Sequence, residues 1–190
     1  MAYRSNAMIR LFYLVSSIDS AKEISDDLHE HGVTDWRFHI VSKDEAGLYT
    51  HQLHTASILD RTDLPRYVER GAIAGFVLAL AFLVPLALME VLNMPAAAWI
   101  ALFIFMVAAG AWVGGFGGIQ SENYRIEPFH EDIEAGKYLV MVDSPKNHTP
   151  KVKELMTKNH PEATLQGQDS SVNNPFAGKR KRQQKMKQAV

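Results

Sequence analysis

Two stretches in the middle of the chain carry no charge: 19 residues at 71–89 and, after Glu90, 31 residues at 91–121. A bilayer core takes about 20 apolar residues as a helix, so the pattern predicts two spanning helices, at 64–92 and 95–119. Asn93, Met94 and Pro95 mark the turn between them, because asparagine and proline favour turns and proline opens a helix well. A soluble helix of this length would show a polar stripe, and neither run has one. Small residues recur at every fourth position: Gly71, Gly75 and Ala79 on the first helix, Gly110, Gly114 and Gly118 on the second. In lipid such faces let two backbones approach closely, within the hairpin or between copies of the chain.

Shorter periods flank this apolar centre. Residues 11–15 form an apolar run with strand character. Ser17 or Asp19 can cap a helix whose inward face is Ala21, Ile24 and Leu28 and which Gly32 ends. Trp36, Phe38 and Ile40 then alternate with Arg37, His39 and Val41, the period of a strand. After the hairpin the plan repeats, with a strand at 138–142 and a helix opened by Pro150 that carries Val152, Leu155 and Met156. That helix ends near Asn159, His160 and Pro161, and a weaker strand follows at 163–166. Two βαβ halves are the recipe for a ferredoxin-like sandwich. The expected architecture is an α+β membrane protein: a ferredoxin-like split βαβ–βαβ domain interrupted by a two-helix transmembrane hairpin. The halves span 8–43 and 138–167, the hairpin 64–119, and linkers 44–63 and 120–137. The second linker contains a helical signal, with Pro128 at its first turn and Gly136 after its end. In that fold the second and third strands are antiparallel neighbours, so an insertion between them leaves and returns at one edge of the sheet.

Charge sharpens this picture. Lys179, Arg180, Lys181, Arg182, Lys185 and Lys187 give the last twelve residues six positive charges and no acid, leaving a net of −7 on the other 178. Residues 168–190 read as a disordered basic tail, suited to anionic lipid headgroups beside a membrane, with nucleic-acid contact ranked behind. Arg61, Arg66 and Arg70 precede the first span and Arg125 follows the second, while the turn has neither Lys nor Arg. The positive-inside rule then puts both termini in the cytoplasm, with Trp99 as an interfacial anchor. Glu90, the only acid of the apolar region, reads as a solvated residue near the outer turn. Residues 1–7, with Ser5, Asn6 and Ala7 before Met8, read as a cleavage remnant. The chain has no cysteine, which excludes disulfides and thiolate chemistry.

The layout has a familiar form. A βαβ unit, a glycine-rich hairpin and the passage Phe129-His130-Glu131-Asp132-Ile133-Glu134-Ala135-Gly136-Lys137-Tyr138-Leu139-Val140-Met141-Val142 resemble small bacterial two-span inner-membrane proteins. That group is labelled general-stress-protein-like, domain of unknown function, or magnesium transporter. The resemblance covers about residues 8–167. It implies a bacterial inner-membrane location and a link to stress or to divalent cations, with no ligand set to transfer. The basic tail and the Asn159-His160-Pro161 helix end are departures from it.

The candidate chemistry is sparse. His29 and His31 lie about 200° apart around a helix, and His51 and His54 lack a completing carboxylate. Glu127, His130, Glu131 and Glu134, with Asp132 beside them, form the best divalent-cation cluster, since magnesium prefers carboxylate oxygens; a solvated acidic helix face is the plainer alternative. The Gly-rich run at 114–118 continues a span and is no nucleotide loop. No residue pattern pairs a nucleophile with a base. The reading is a non-enzymatic, homo-oligomeric membrane protein without a cofactor, oligomerising through the glycine-rich hairpin, with its cytoplasmic domain for sensing or assembly. An oligomeric magnesium channel or transporter is the runner-up, and a membrane tether binding RNA or lipid through its tail comes third.

Overall fold

The computed structural model describes residues 8–89 and 92–170. The first seven residues, Glu90 and the basic tail lie outside them. The chain forms two compact units, one from residues up to 57 and from 124 onward, the other from 58–123. The first is a mixed α+β unit. It contains β1 (Met8–Val15), α1 (Ile18–Glu30), β2 (Phe38–Val41) and α2 (Glu45–Thr50) before the second unit, then α6 (His130–Glu134), β3 (Tyr138–Pro145), α7 (Thr149–Asn159) and β4 (Thr164–Ser170). The second unit holds α3 (Ile58–Arg61) and two long apolar helices, α4 (Leu64–Leu88) and α5 (Ala96–Ile119).

All strand pairs are antiparallel, in the order β2-β3-β1-β4. The last residue of β2, Val41, sits opposite Leu139 at the start of β3, and Phe38 sits opposite Val142. Side chains alternate across the sheet. Leu11, Tyr13, Val15, Phe38, Ile40, Tyr138, Val140 and Val142 meet Ala21, Ile24 and Leu28 of α1 and Val152 and Met156 of α7. The opposite face is covered as well. Phe12, Leu14, Leu139 and Met141 pack under Ile126, Phe129 and Ile133, with the Phe12 and Phe129 rings 5.7 Å apart. The linker after the hairpin is therefore half of a core.

Local chemistry fixes the ends of α1. Ser17 caps its start, its Oγ accepting from Ser20 N at 3.1 Å. At its close Val33 N reaches Leu28 O and Gly32 N reaches His29 O, a left-handed stop that Gly32 supplies with φ of +83°. Helix α2 ends the same way, but Gln52 stands where glycine is usual, at φ of +55°.

Two expectations need correction. Trp36 is not in β2: Asp35–Arg37 form a 3-10 turn, closed by Arg37 N donating to Thr34 O. Trp36 is thereby turned outward, 62% exposed, with the Arg37 guanidinium over its ring. And order does not stop at 167, because β4 continues to Ser170. Its polar residues have a sheet role. Arg10 on β1 sits opposite both Asp143 on β3 and Asp169 on β4. Arg10 grips Asp143 with hydrogen bonds of 2.8 and 2.6 Å, and Arg125 reaches Asp169 Oδ2 at 3.2 Å and Ser170 O at 2.7 Å. A largely buried row of alternating charge, with Asp169 partly exposed, thus crosses three strands.

In the second unit the segments flanking the long helices are clasped. Thr62 bridges Glu122, Asp63 N donates to Ser121 O, and Asn123 donates from N to Arg61 O and from Nδ2 to Asp60 O. Arg66, 3% exposed, pairs with Asp63. Pro95 caps α5, as the turn chemistry predicts. Helix α4 carries Pro85 in its interior.

Two substitutions test these local arguments. The Tyr13 hydroxyl is buried without a hydrogen-bond partner, and burial pushes its pKa up to about 12. A folded pKa above the unfolded value means stability that is intact below about pH 10 and drains away as pH rises toward 12. Tyr13→Phe should raise the unfolding free energy by about 1 kcal/mol and remove that alkaline component, as read by urea denaturation in detergent. Gln52→Gly should raise it by about 1 kcal/mol through relief of the left-handed backbone, checked by the same measurement.

Candidate functional site

The residues singled out in the sequence fall into three groups. The five glycines come together along the α4–α5 seam. A Cβ on Gly75 would lie 2.5 Å from Met106 O, one on Gly118 would lie 2.7 Å from Leu64 Cα, and Gly71, Gly110 and Gly114 are equally blocked by backbone of the facing helix. The seam is thus intramolecular. The acidic cluster is less convergent. Glu134 is held by Lys43 at 2.9 Å, whose hydrogen bond and charge keep its carboxyl below the usual range. Asp132 is held by Lys137 at 2.8 Å, while His130 and Glu131 are exposed and Glu127 is partly buried. Among the described residues no three His, Asp or Glu side chains converge with metal-binding geometry. The tail residues Lys179, Arg180, Lys181, Arg182, Lys185 and Lys187 lie outside the described residues.

The fold also assembles groups that sequence reading missed. Ser25 Oγ lies 3.3 Å from His29 Nδ1, and His29 Nε2 lies 2.5 Å from Asp35 Oδ1. The constellation has the members of a hydrolytic triad but the wrong polarity. His29 Nδ1 is also 2.6 Å from the Ser25 carbonyl oxygen, an acceptor that takes the hydrogen on Nδ1 and leaves no lone pair for the hydroxyl. Ser25 is itself buried, on the core side of α1. A second cluster ties α1 to the end of α7. Asp27 Oδ2 accepts from Asn159 Nδ2 at 3.0 Å and lies 3.0 Å from His160 Nε2, and Asp27 Oδ1 is 3.2 Å from His31. Burial opposes ionisation of Asp27, yet the hydrogen bonds from Asn159 and His160 and the nearby histidine charges outweigh it and hold the carboxyl below its usual value.

A concavity of the α/β unit has a volume of about 360 Å³. It opens where β2 begins and β3 ends, between the close of α1 and the start of α7. Leu28, Val33, Val152 and Leu155 supply apolar wall, and His31, Arg37, Asp143, Ser144, His148 and Lys151 supply polar groups. The left-handed stop at Gly32 turns the chain across the opening, and the turn at Asp35–Arg37 delivers Arg37 to it. No pattern of spacing joins these residues, which come from segments over a hundred positions apart. Comparison with protein-family models, with curated proteins and with solved structures finds no match for this chain.

The Asp27 cluster predicts an acid dependence. Its lowered pKa means a stabilising contribution present above about pH 4 and lost as pH falls through the folded-state value. The stability difference between the parent chain and Asp27→Asn should therefore shrink on going from about pH 5 to about pH 3, as followed by urea denaturation. A difference independent of pH would show that the carboxylate charge has no part in the lock.

Proposed function

We propose that this chain is a non-enzymatic integral membrane protein of the bacterial inner membrane. In this reading the helical hairpin anchors a cytoplasmic ferredoxin-like domain that senses a ligand or assembles with a partner. The observation that carries it is the outer surface of α4 and α5. Both are long and apolar enough to cross a membrane, and their most apolar stretches are only 17% and 0% buried. A core helix of a soluble protein would be covered. Sixteen large apolar side chains of the two helices are instead exposed, among them Phe76, Leu80, Phe82, Ile104, Phe105 and Trp112. Each is worth about 1.5–3 kcal/mol on leaving water, so their sum exceeds the whole stability of a typical domain. A bilayer is the natural solvent for such a surface.

The strand order β2-β3-β1-β4 with α1 and α7 on one face supports the ferredoxin-like description. The cover on the other face is an addition to that plan. The arginines at 61, 66, 70 and 125 support cytoplasmic termini. The resemblance to small two-span bacterial proteins agrees with this architecture. Anchoring is favoured over ion conduction because no Asp, Glu, Lys, Arg or His stands at 71–89 or 96–119. Since the glycines meet each other, association between copies would have to use the outer faces of the helices.

Membrane extraction tests this reading. The chain should stay with membranes through a carbonate wash and leave only with detergent. Ile104→Arg, which places a charge at mid-span at a cost of about 2.5–3.5 kcal/mol, should lower the inserted fraction. A single cysteine introduced at Asn93 should react with an impermeant maleimide from outside, and one at Lys146 should not. Release by carbonate, or labelling of both sites in intact cells, would sink it.

A further inference from the structure

The cavity between the close of α1 and the start of α7 is electrostatically one-sided. Arg37 and Lys151 bring permanent positive charge to its wall and His148 an imidazole, His31 is turned to Asp27 through Nδ1, and the one acid of the lining, Asp143, is already gripped by Arg10. The Lys151 and His148 side chains are exposed and have no side-chain partner among the described residues. The Nε of Arg37 is shielded from solvent with no hydrogen-bond acceptor. It is therefore closed to a ligand in the cavity, and only the terminal nitrogens of Arg37 can serve one.

Backbone adds to the side chains. The first-turn N–H groups of a helix have no acceptors within the helix. At the start of α7 the capping position is His148, whose side chain makes no cap hydrogen bond. That end of the helix also carries the positive pole of its dipole. Pro150 has no N–H, and of the first three residues of α7 only Lys151 lines the cavity, so the donors come from Arg37 in the turn before β2 and from Lys151 in the first turn of α7. A planar carboxylate presents two oxygens in one plane, whereas a terminal phosphate presents three around a tetrahedron. The apolar wall of Leu28, Val33, Val152 and Leu155 needs a ligand with a body as well as a charge, and a volume of about 360 Å³ is at the small end of ligand sites.

We propose that this cavity binds a small phosphomonoester, its phosphate held by Arg37, Lys151 and the first turn of α7 and its apolar body lying against the α1–α7 wall. The site lies wholly within the α/β unit and does not depend on the hairpin crossing a bilayer.

The test is calorimetric titration of the full chain in phosphatidylcholine nanodiscs or in detergent. The probes are inorganic phosphate, adenosine monophosphate, adenosine, and a short-chain phosphatidate. Saturable binding of adenosine monophosphate but not of adenosine, weakened tenfold or more by Arg37→Gln and by Lys151→Gln, supports a soluble ligand. Binding of phosphatidate alone, lost in the same variants, supports the site and assigns its phosphate to a lipid headgroup. Lys151 is exposed on the first turn of its helix, so its variant keeps the fold, and unchanged thermal unfolding verifies this. No saturable binding of phosphate, adenosine monophosphate or phosphatidate, or binding indifferent to both substitutions, overturns the proposal.

Discussion

Strand β3 pairs with β1 and β2, both of which lie on the far side of a 66-residue unit in the chain. No sheet with this order exists until the chain has gone out and come back. Loop-closure entropy rises only slowly with loop length, but a flexible excursion would still leave the two ends uncorrelated. The hairpin removes most of that freedom. With Thr62 bridged to Glu122, only the segments 42–61 and 123–137 are left to close, and parts of both are fixed by packing of Ala56, Ile126, Phe129 and Ile133 against the sheet. By that slow logarithm the shorter closure is worth about 1 kcal/mol, so the close glycine contact between α4 and α5 eases the return of the chain to the sheet.

The row Asp143–Arg10–Asp169–Arg125 acts on the same problem from within the sheet. Burying charges costs several kcal/mol each unless they are paired in good geometry, and a one-residue slip of β3 or β4 would set Arg10 opposite an apolar or neutral neighbour. The row adds little net stability by this argument. Its effect is to make wrong registers expensive, which matters for a strand that has to find its place after a long detour. It also accounts for a β4 with a polar sequence, because Asp169 is a sheet partner of Arg10 and not the start of a solvated tail.

Much of this was legible in one dimension. Apolar run length, Pro95 and the four-residue glycine spacing located both long helices to within a few residues. Ser17, Gly32 and the Ala21-Ile24-Leu28 stripe located α1. What escaped was set in part by local turns and in part by contacts distant in sequence. Trp36 has strand periodicity, but the turn closed onto Thr34 takes it out of the strand. Gln52 has no business at a left-handed helix stop by residue type, and Leu48 and Leu53 in the core hold it there. Ser25 and His29 stand four apart on α1 and were within reach of a spacing argument, whereas the Asp27–Asn159–His160 group and the cavity join segments that no spacing rule connects. In the acidic helix the sequence displayed charge but not Lys43, 91 positions away, which occupies Glu134.

The α4–α5 seam has a further consequence. Its small residues repeat every four positions, and between them stand side chains such as Phe76 and Phe105 that no backbone contact of this kind could admit. One helix cannot creep along the other by a residue or two without driving bulk into the interface. The nearest alternative register is four residues on, a displacement of about 6 Å. The glycine spacing thus keys the pair to one register and spaces any alternative by a whole step.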